Sequence, residues 1–250
     1  MSLEALVHSP MREVKLRDDL TVLELGVVDY HKALALQERL SELRRANKIP
    51  NTVVLLEHPH VYTIGKDVKD NEVEGLVREE LGAEIIQVQR GGKITYHGPG
   101  QLVAYFICKI PFKRYPGFLT QIEDVAIETL RSYGIKAYSR KEEIDPRSHG
   151  KVKGIRGAWC YINRVPKKIA AQGLEFRGTP RFDNEPPMIS TMHGFALNVN
   201  TDLAYFQRIY PCGFDYDVMS SMKEIKGEEV DMEKVRDVVR QQLKERVGLW

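Results

Sequence analysis

One span carries residue types that could do chemistry together. "RGGKITYHGPGQ" runs from Arg90 to Gln101. Its glycines let backbone N–H groups approach a ligand closely, and Arg90 and Lys93 add positive charge. Such a loop could hold a phosphate, a carboxylate or a carbonyl oxygen. It lacks the GK[ST] of a P-loop and the GxGxxG of a dinucleotide fingerprint. A glycine-rich hairpin is the other reading of the same residues. His97 and His193 could move protons or could orient loops by hydrogen bonding. His58 and His60 flank a proline and read as loop residues. No histidine has metal-ligand spacing such as HExxH, so no metal is expected.

Three thiols are available as nucleophiles: Cys108, Cys160 and Cys212. Cys108 lies in the apolar run "LVAYFICKI" and Cys160 in the alternating "AWCYIN", where a small core residue is the better reading. Cys212 stands in "PCG", a turn that could present a side chain to a cleft or could be only a turn. Three cysteines make no disulfide framework and no zinc spacing, which points to a reducing, cytoplasmic setting. The net charge of +2 gives no global case for nucleic acid. The first 16 residues have no long apolar core, and no run approaches the length of a membrane span. Hydrophobic residues at 42% of 250 suffice for a sizeable core.

These residues need elements to hold them. "TVLELGVV" begins as a strand. From Asp29 the chain turns helical, with Tyr30, Ala33, Leu34, Leu36, Leu40 and Leu43 giving an apolar face. "TVVLLEHPHVYTIG" reads as two strands around a His-Pro break, with a loop over residues 65–80 and a strand in "AEIIQVQ". "LVAYFICKI" reads as one strand closed by Pro111. A helix is expected from Leu119 to Tyr133, stopped by Gly134. "KAYSR" is a short strand, and residues 141–157 are a loop. "AWCYIN" and "KIAAQGLEF" form a hairpin turning near Asn163 to Pro166. Residues 177–192 are an excursion before the strand "HGFALNVN". A short helix follows in "LAYFQRI", then a tight turn in "PCGF" and a last helix from Asp231 to about Arg246. Strands separated by helices imply an α+β mixed sheet.

"RGGKITYHGPGQ" resembles the signature of the lipoate-protein ligase B family of octanoyltransferases. "VYTIGK", "KIAAQG", "HGFALNVN" and "YPCGF" follow in that family's order. The resemblance implies the fold of lipoate and biotin protein ligases: a mixed sheet flanked by helices, over residues 1–200, with a small C-terminal subdomain over 201–250. It implies transfer of octanoyl from acyl carrier protein to a lysine of a lipoyl domain, without cofactor. The acceptors would be lipoyl domains of 2-oxoacid dehydrogenase complexes and the glycine cleavage H protein. No nucleic acid or membrane partner is implied. The family's nucleophile maps onto Cys212, and its catalytic lysine, which opens "KIAA", onto Lys168. Lys167 has no counterpart and reads as solvated. Arg90, Gly91, Gly92, Lys93, Ile94, Thr95, Tyr96 and His97 would line the acyl pocket. Ala171, Gln172, Gly173, Gly194, Phe195 and Ala196 would complete it. Residues 141–157 and 177–192 are longer than the family's compact form.

Three other readings compete. An ATP-dependent lipoate or biotin ligase shares the expected fold, but "HGPGQ" with "PCG" favours transfer between carriers. A lipoyl amidotransferase would place its cysteine elsewhere. A non-catalytic carrier-binding module fits poorly with Lys168 and Cys212 together.

Overall fold

The computed structural model describes residues 3–66, 68, 82–139, 156–178, 187–211, 214 and 216–247. In chain order its strands are β1 (Arg12–Arg17), β2 (Leu20–Val27), β3 (Asn51–Glu57), β4 (Val61–Ile64), β5 (Glu84–Gln87) and β6 (Ile94–His97). They continue with β7 (Gln101–Ile107), β8 (Lys109–Pro111), β9 (Tyr138–Ser139), β10 (Gly157–Ile162), β11 (Val165–Arg177) and β12 (Met188–Asn198). The helices are α1 (Leu3–Val7), α2 (Tyr30–Arg45), α3 (Tyr115–Ser132), α4 (Met222–Lys226) and α5 (Met232–Arg246).

Alternation on the central strands decides the layers. On β3, Val53 and Leu55 face a core shared with Phe118, Ile122 and Val125 of α3 and Val235, Val239 and Leu243 of α5. Val54 and Leu56 face the other way, onto Ala33, Leu36 and Leu40 of α2. The large sheet runs β1-β2-β3-β7-β12-β11-β10-β9, with β8 beside β12. The β2/β3 pair is parallel and its other ladders are antiparallel, so the sheet is mixed. A smaller sheet, β5-β4-β6, carries the ends of the glycine loop.

Several elements differ from the sequence reading. The third helix starts at Tyr115, because Pro116 is tolerated in a first turn where no intrahelical N–H is required. The "LVAYFICKI" run breaks at Cys108, and β8 leaves β3 to pair with Met188–Ser190. "MIST" therefore belongs to β12 rather than to an excursion. The β10/β11 turn is tighter than expected, with Asn163 and Arg164 both at positive φ, 49° and 67°. "LAYFQRI" winds as a 3-10 helix over Leu203–Arg208, capped by Asp202. Asp29 caps α2 through the Lys32 N–H, as its type predicts. The expected loops at 65–80 and 141–157, and the centre of 177–192, lie largely outside the described residues. Among the described residues no helix is long and apolar enough to cross a membrane.

The seam between the two sheets is polar. His58, expected to be a plain loop residue, is fully buried there. Its Nδ1–H donates to the Val28 carbonyl at 2.7 Å, so Nε2 must accept from the Tyr105 hydroxyl at 2.6 Å. Burial holds the ring neutral and lowers its pKa to about 4. The unfolded chain binds this proton near pH 6.5, well before the folded one does. Stability from this group is therefore complete above about pH 6.5 and lost as pH falls towards 4, by about 3 kcal/mol at the limit. Urea unfolding at pH 7 and pH 4.5 should show this loss. His58→Gln should start less stable but with a flatter pH slope, and an unchanged slope would show that another group carries it.

Candidate active site

Arg90 is built into the glycine loop rather than pointed out of it. Its guanidinium donates to the Thr63 carbonyl and hydroxyl, each at 2.7 Å, and to the carbonyls of Gly91 and Lys93 at 3.0 and 2.9 Å. The chain thus winds around its own cation. Gly92 takes φ +89°, an angle that side chains disfavour. The Gly91 N–H reaches the Leu174 carbonyl of β11 at 3.3 Å and ties the loop to the large sheet.

Between this loop and the sheet lies an open pocket of about 480 Å³, counted to its mouth. The loop contributes Arg90, Gly91 and Gly92, and β6 contributes Thr95 and His97. Ala171, Gln172 and Gly173 come from β11, and Gly194, Phe195 and Ala196 from β12. Val103, Tyr105 and His193 also line it. Glycines and alanines leave room between the polar side chains, and most of the exposed lining is apolar, which suits an aliphatic chain.

Three of the residues expected here are elsewhere. Ile94 and Tyr96 alternate with Thr95 and His97 along β6, so they face a second core of Tyr62, Trp159, Phe206 and Phe214. Tyr96 stacks on Tyr205 at 4.7 Å and meets His60 Nδ1 at 2.7 Å. Lys93 is exposed and contributes its carbonyl to the loop. Val103 and Tyr105 were missed. Alternation along β7 puts them on one face, but only the fold shows that the glycine loop lies there.

His97 is buried and neutral, its pKa pushed well below 6.5 by burial and by the neighbouring His58 and Arg90. Gln101 gives its amide hydrogens to Asn198 Oδ1 at 2.9 Å and the Tyr96 carbonyl at 3.2 Å. Its oxygen must then accept from His97 Nδ1 at 2.7 Å, which leaves Nε2 as the lone-pair nitrogen. Asn198 in turn donates to the Ser220 carbonyl at 3.0 Å, and the Ser220 N–H donates to the Lys168 carbonyl at 2.9 Å. One line of bonds joins the pocket wall to the Lys168 backbone. His193 sits at φ +60° with its N–H on Gln37 at 2.8 Å and its Nε2 3.7 Å from Glu175, and burial lowers its pKa.

Lys168 is buried on β11 opposite Trp159. Alternation sends Lys168 and Ile169 to opposite faces, and the β10/β11 register skips Ile169, a bulge that lets Ala170 follow it into the main core. Ile169 enters the main core, while the Lys168 ammonium lies 5.5 Å from the centre of the Trp159 ring. The same indole meets Phe214 edge-on at 5.8 Å. The Phe214 N–H reaches the Pro211 carbonyl at 3.0 Å. Pro211 and Phe214 bracket Cys212, which itself lies outside the described residues. Cys108 and Cys160 are buried, with thiols pushed up by desolvation to about 12 and about 11. Neither is poised as a thiolate near neutral pH. Lys167 is not simply solvated: its ammonium donates to the Asp217 carbonyl.

This geometry agrees with what the chain is similar to. Residues 29–244 match the family described as lipoyl protein ligase A/B catalytic domain. The octanoyltransferase of Acidothermus cellulolyticus is 39% identical over 86% of this chain and 86% of its own length. That of Rubrobacter xylanophilus is 38% identical over 86% of this chain and 87% of its own, and that of Salinispora arenicola 36% over 92% and 97%. Among solved structures, a T. acidophilum protein with bound lipoic acid superposes with a TM-score of 0.64, at 16% identity, over 90% of this chain and 85% of its own. Lipoate-protein ligase A bound with ATP gives 0.63, at 16% identity, over 92% and 85%. These two show the fold, while the matched domain and the octanoyltransferase relatives show the family: the chain belongs to the lipoyl protein ligase A/B catalytic domain family.

Proposed function

We propose that this chain is an octanoyltransferase working through a thioester on Cys212. The observation that carries the reading is the shared Trp159 ring. It has the Lys168 ammonium on one side and Phe214, which closes the turn begun at Pro211, at its edge. An ammonium held near that turn would stabilise a thiolate there. The pocket between the glycine loop and β11/β12 would take the acyl chain.

The Cys212 thiolate attacks the thioester carbonyl carbon of octanoyl-acyl carrier protein. The carrier's C–S bond breaks and its thiolate leaves, taking a proton from Lys168. A lysine amine of a lipoyl domain then attacks the Cys212 thioester. The amide C–N bond forms, the Cys212 thiolate leaves, and the proton released by the amine returns to Lys168. Backbone N–H groups of the glycine loop would face the developing oxyanion. The acceptors in this reading are lipoyl domains of 2-oxoacid dehydrogenase complexes and the glycine cleavage H protein. A thiol nucleophile needs a reducing compartment, so the reading includes a cytoplasmic location.

Incubation with octanoyl-acyl carrier protein should therefore give a hydroxylamine-labile adduct on Cys212 without ATP, and none in Cys212→Ala. Peptide mapping of the adduct to Cys108 or Cys160 would overturn the assignment. A requirement for ATP and free octanoate would replace it with the ligase reaction. Lys168→Ala should raise the thiol pKa of Cys212 by about one unit or more, read as the pH midpoint of its alkylation by iodoacetamide.

The glycine loop gives a separate expectation. Gly92→Ala places a methyl at φ +89°, which costs about 1 kcal/mol or more. It also narrows the pocket wall. Octanoyl transfer should fall well beyond what the lowered unfolding temperature explains, while Lys136→Ala, at an exposed lysine, changes neither. Full transfer by Gly92→Ala would reduce the loop to a hairpin with no part in binding.

A further inference from the structure

Glu123 is a carboxylate buried near this site that the reaction above does not use. It sits on α3 with its side chain 1% exposed. Its Oε1 accepts the Gly157 N–H at 2.7 Å and its Oε2 accepts the Ser139 hydroxyl at 2.8 Å. Arg156 lies 3.9 Å from Oε2 and is the charged neighbour. A carboxylate is costly to bury unless its oxygens are filled, and these are filled by the first residue of β10 and the last of β9.

The residue it grips is a glycine for a specific reason. Gly157 has φ +139°, and a Cβ there would lie 2.9 Å from Lys168 Cε and 2.0 Å from the Ala170 carbonyl oxygen. The Lys168 side chain therefore runs along the bare face of Gly157. Two residues on, Trp159 supplies the ring beneath the ammonium. The path of Lys168 depends on where β10 begins, and Glu123 holds that point against α3.

We propose that Glu123 is a positioning residue for Lys168, acting through the Gly157 N–H to keep open the groove in which the lysine lies. The proposal rests on the reading of Lys168 as partner of the Cys212 thiol. Glu123 itself touches no substrate. What it must supply is geometric: an acceptor oxygen at the reach of a glutamate.

That requirement separates the variants. Glu123→Gln keeps an oxygen for Gly157, and Ser139 can accept from the new amide. It should retain transfer within about threefold, with the alkylation midpoint of Cys212 unmoved. Glu123→Leu keeps the volume but not the acceptor. It should lose about tenfold or more in transfer, and the midpoint should rise by about one unit, as in Lys168→Ala. All are measured on the full chain, well below each variant's unfolding temperature. If Glu123→Leu does not fold, Glu123→Asp decides, because it keeps the charge but withdraws the acceptor by one methylene. A lowered unfolding temperature with a wild-type midpoint in the Leu or Asp variant would make Glu123 merely structural and overturn the proposal. A shifted midpoint in Glu123→Gln equal to that in Glu123→Leu would overturn it too, since charge and not reach would then be what matters. A midpoint unmoved in Lys168→Ala would instead bring down the underlying reading of Lys168.

Discussion

Burying a lysine is the constraint around which this molecule is arranged. A desolvated ammonium costs several kcal/mol unless its surroundings compensate, and the placement of Lys168 is set from three directions. An indole from β10 lies across from it, alternation along β11 turns it away from the aliphatic core that Ile169 enters, and its main chain is held by Ser220. A one-residue slip of β11 would exchange the fates of Lys168 and Ile169. The charge would then enter the main core, and the isoleucine would lie on the tryptophan.

The glycine loop solves a related problem. A loop that offers backbone to a ligand has few side chains with which to hold its own shape. Arg90 supplies the missing rigidity by reaching two carbonyls within the loop and both oxygens of Thr63 on β4. A cation that sequence reasoning would offer to a substrate is thereby engaged with the protein. The histidines beneath are kept neutral by burial, while the Val28 carbonyl and Tyr105 orient His58 and Gln101 orients His97. The floor of an apolar channel is thus polar yet carries little charge.

Much of this was legible in the sequence. The central strands could be read because both faces of "TVVLLE" and "LVAYFI" are apolar, and α2 because its apolar residues recur on one face beside a capping aspartate. The pocket strands were legible through a resemblance in motif order, which composition alone did not supply. What escaped depends on contacts distant in sequence. Alternation separates Ile94 and Tyr96 from Thr95 and His97, but which of the two faces meets the pocket is not fixed until β6 has a sheet on one side. Nothing near "HPH" says that His58 meets a tyrosine 47 residues later. Nothing around Glu123 says that its partner is a glycine 34 residues away.

One strand, β11, carries both Lys168 and the pocket wall at Ala171 to Gly173. No hinge or loop comes between them. Apart from the bulge at Ile169, their separation is a length of extended backbone, at most about 10 to 17 Å at the usual rise per residue. It is fixed by counting residues and not by the docking of independent parts. The strand is therefore a ruler laid from the charge to the channel. Its scale is discrete, because lengthening it by one residue would both move the wall and reverse every side chain beyond the insertion. Adjusting the fit by less than that step is left to the volumes of the side chains along it, which in this chain are an alanine, a glutamine and a glycine.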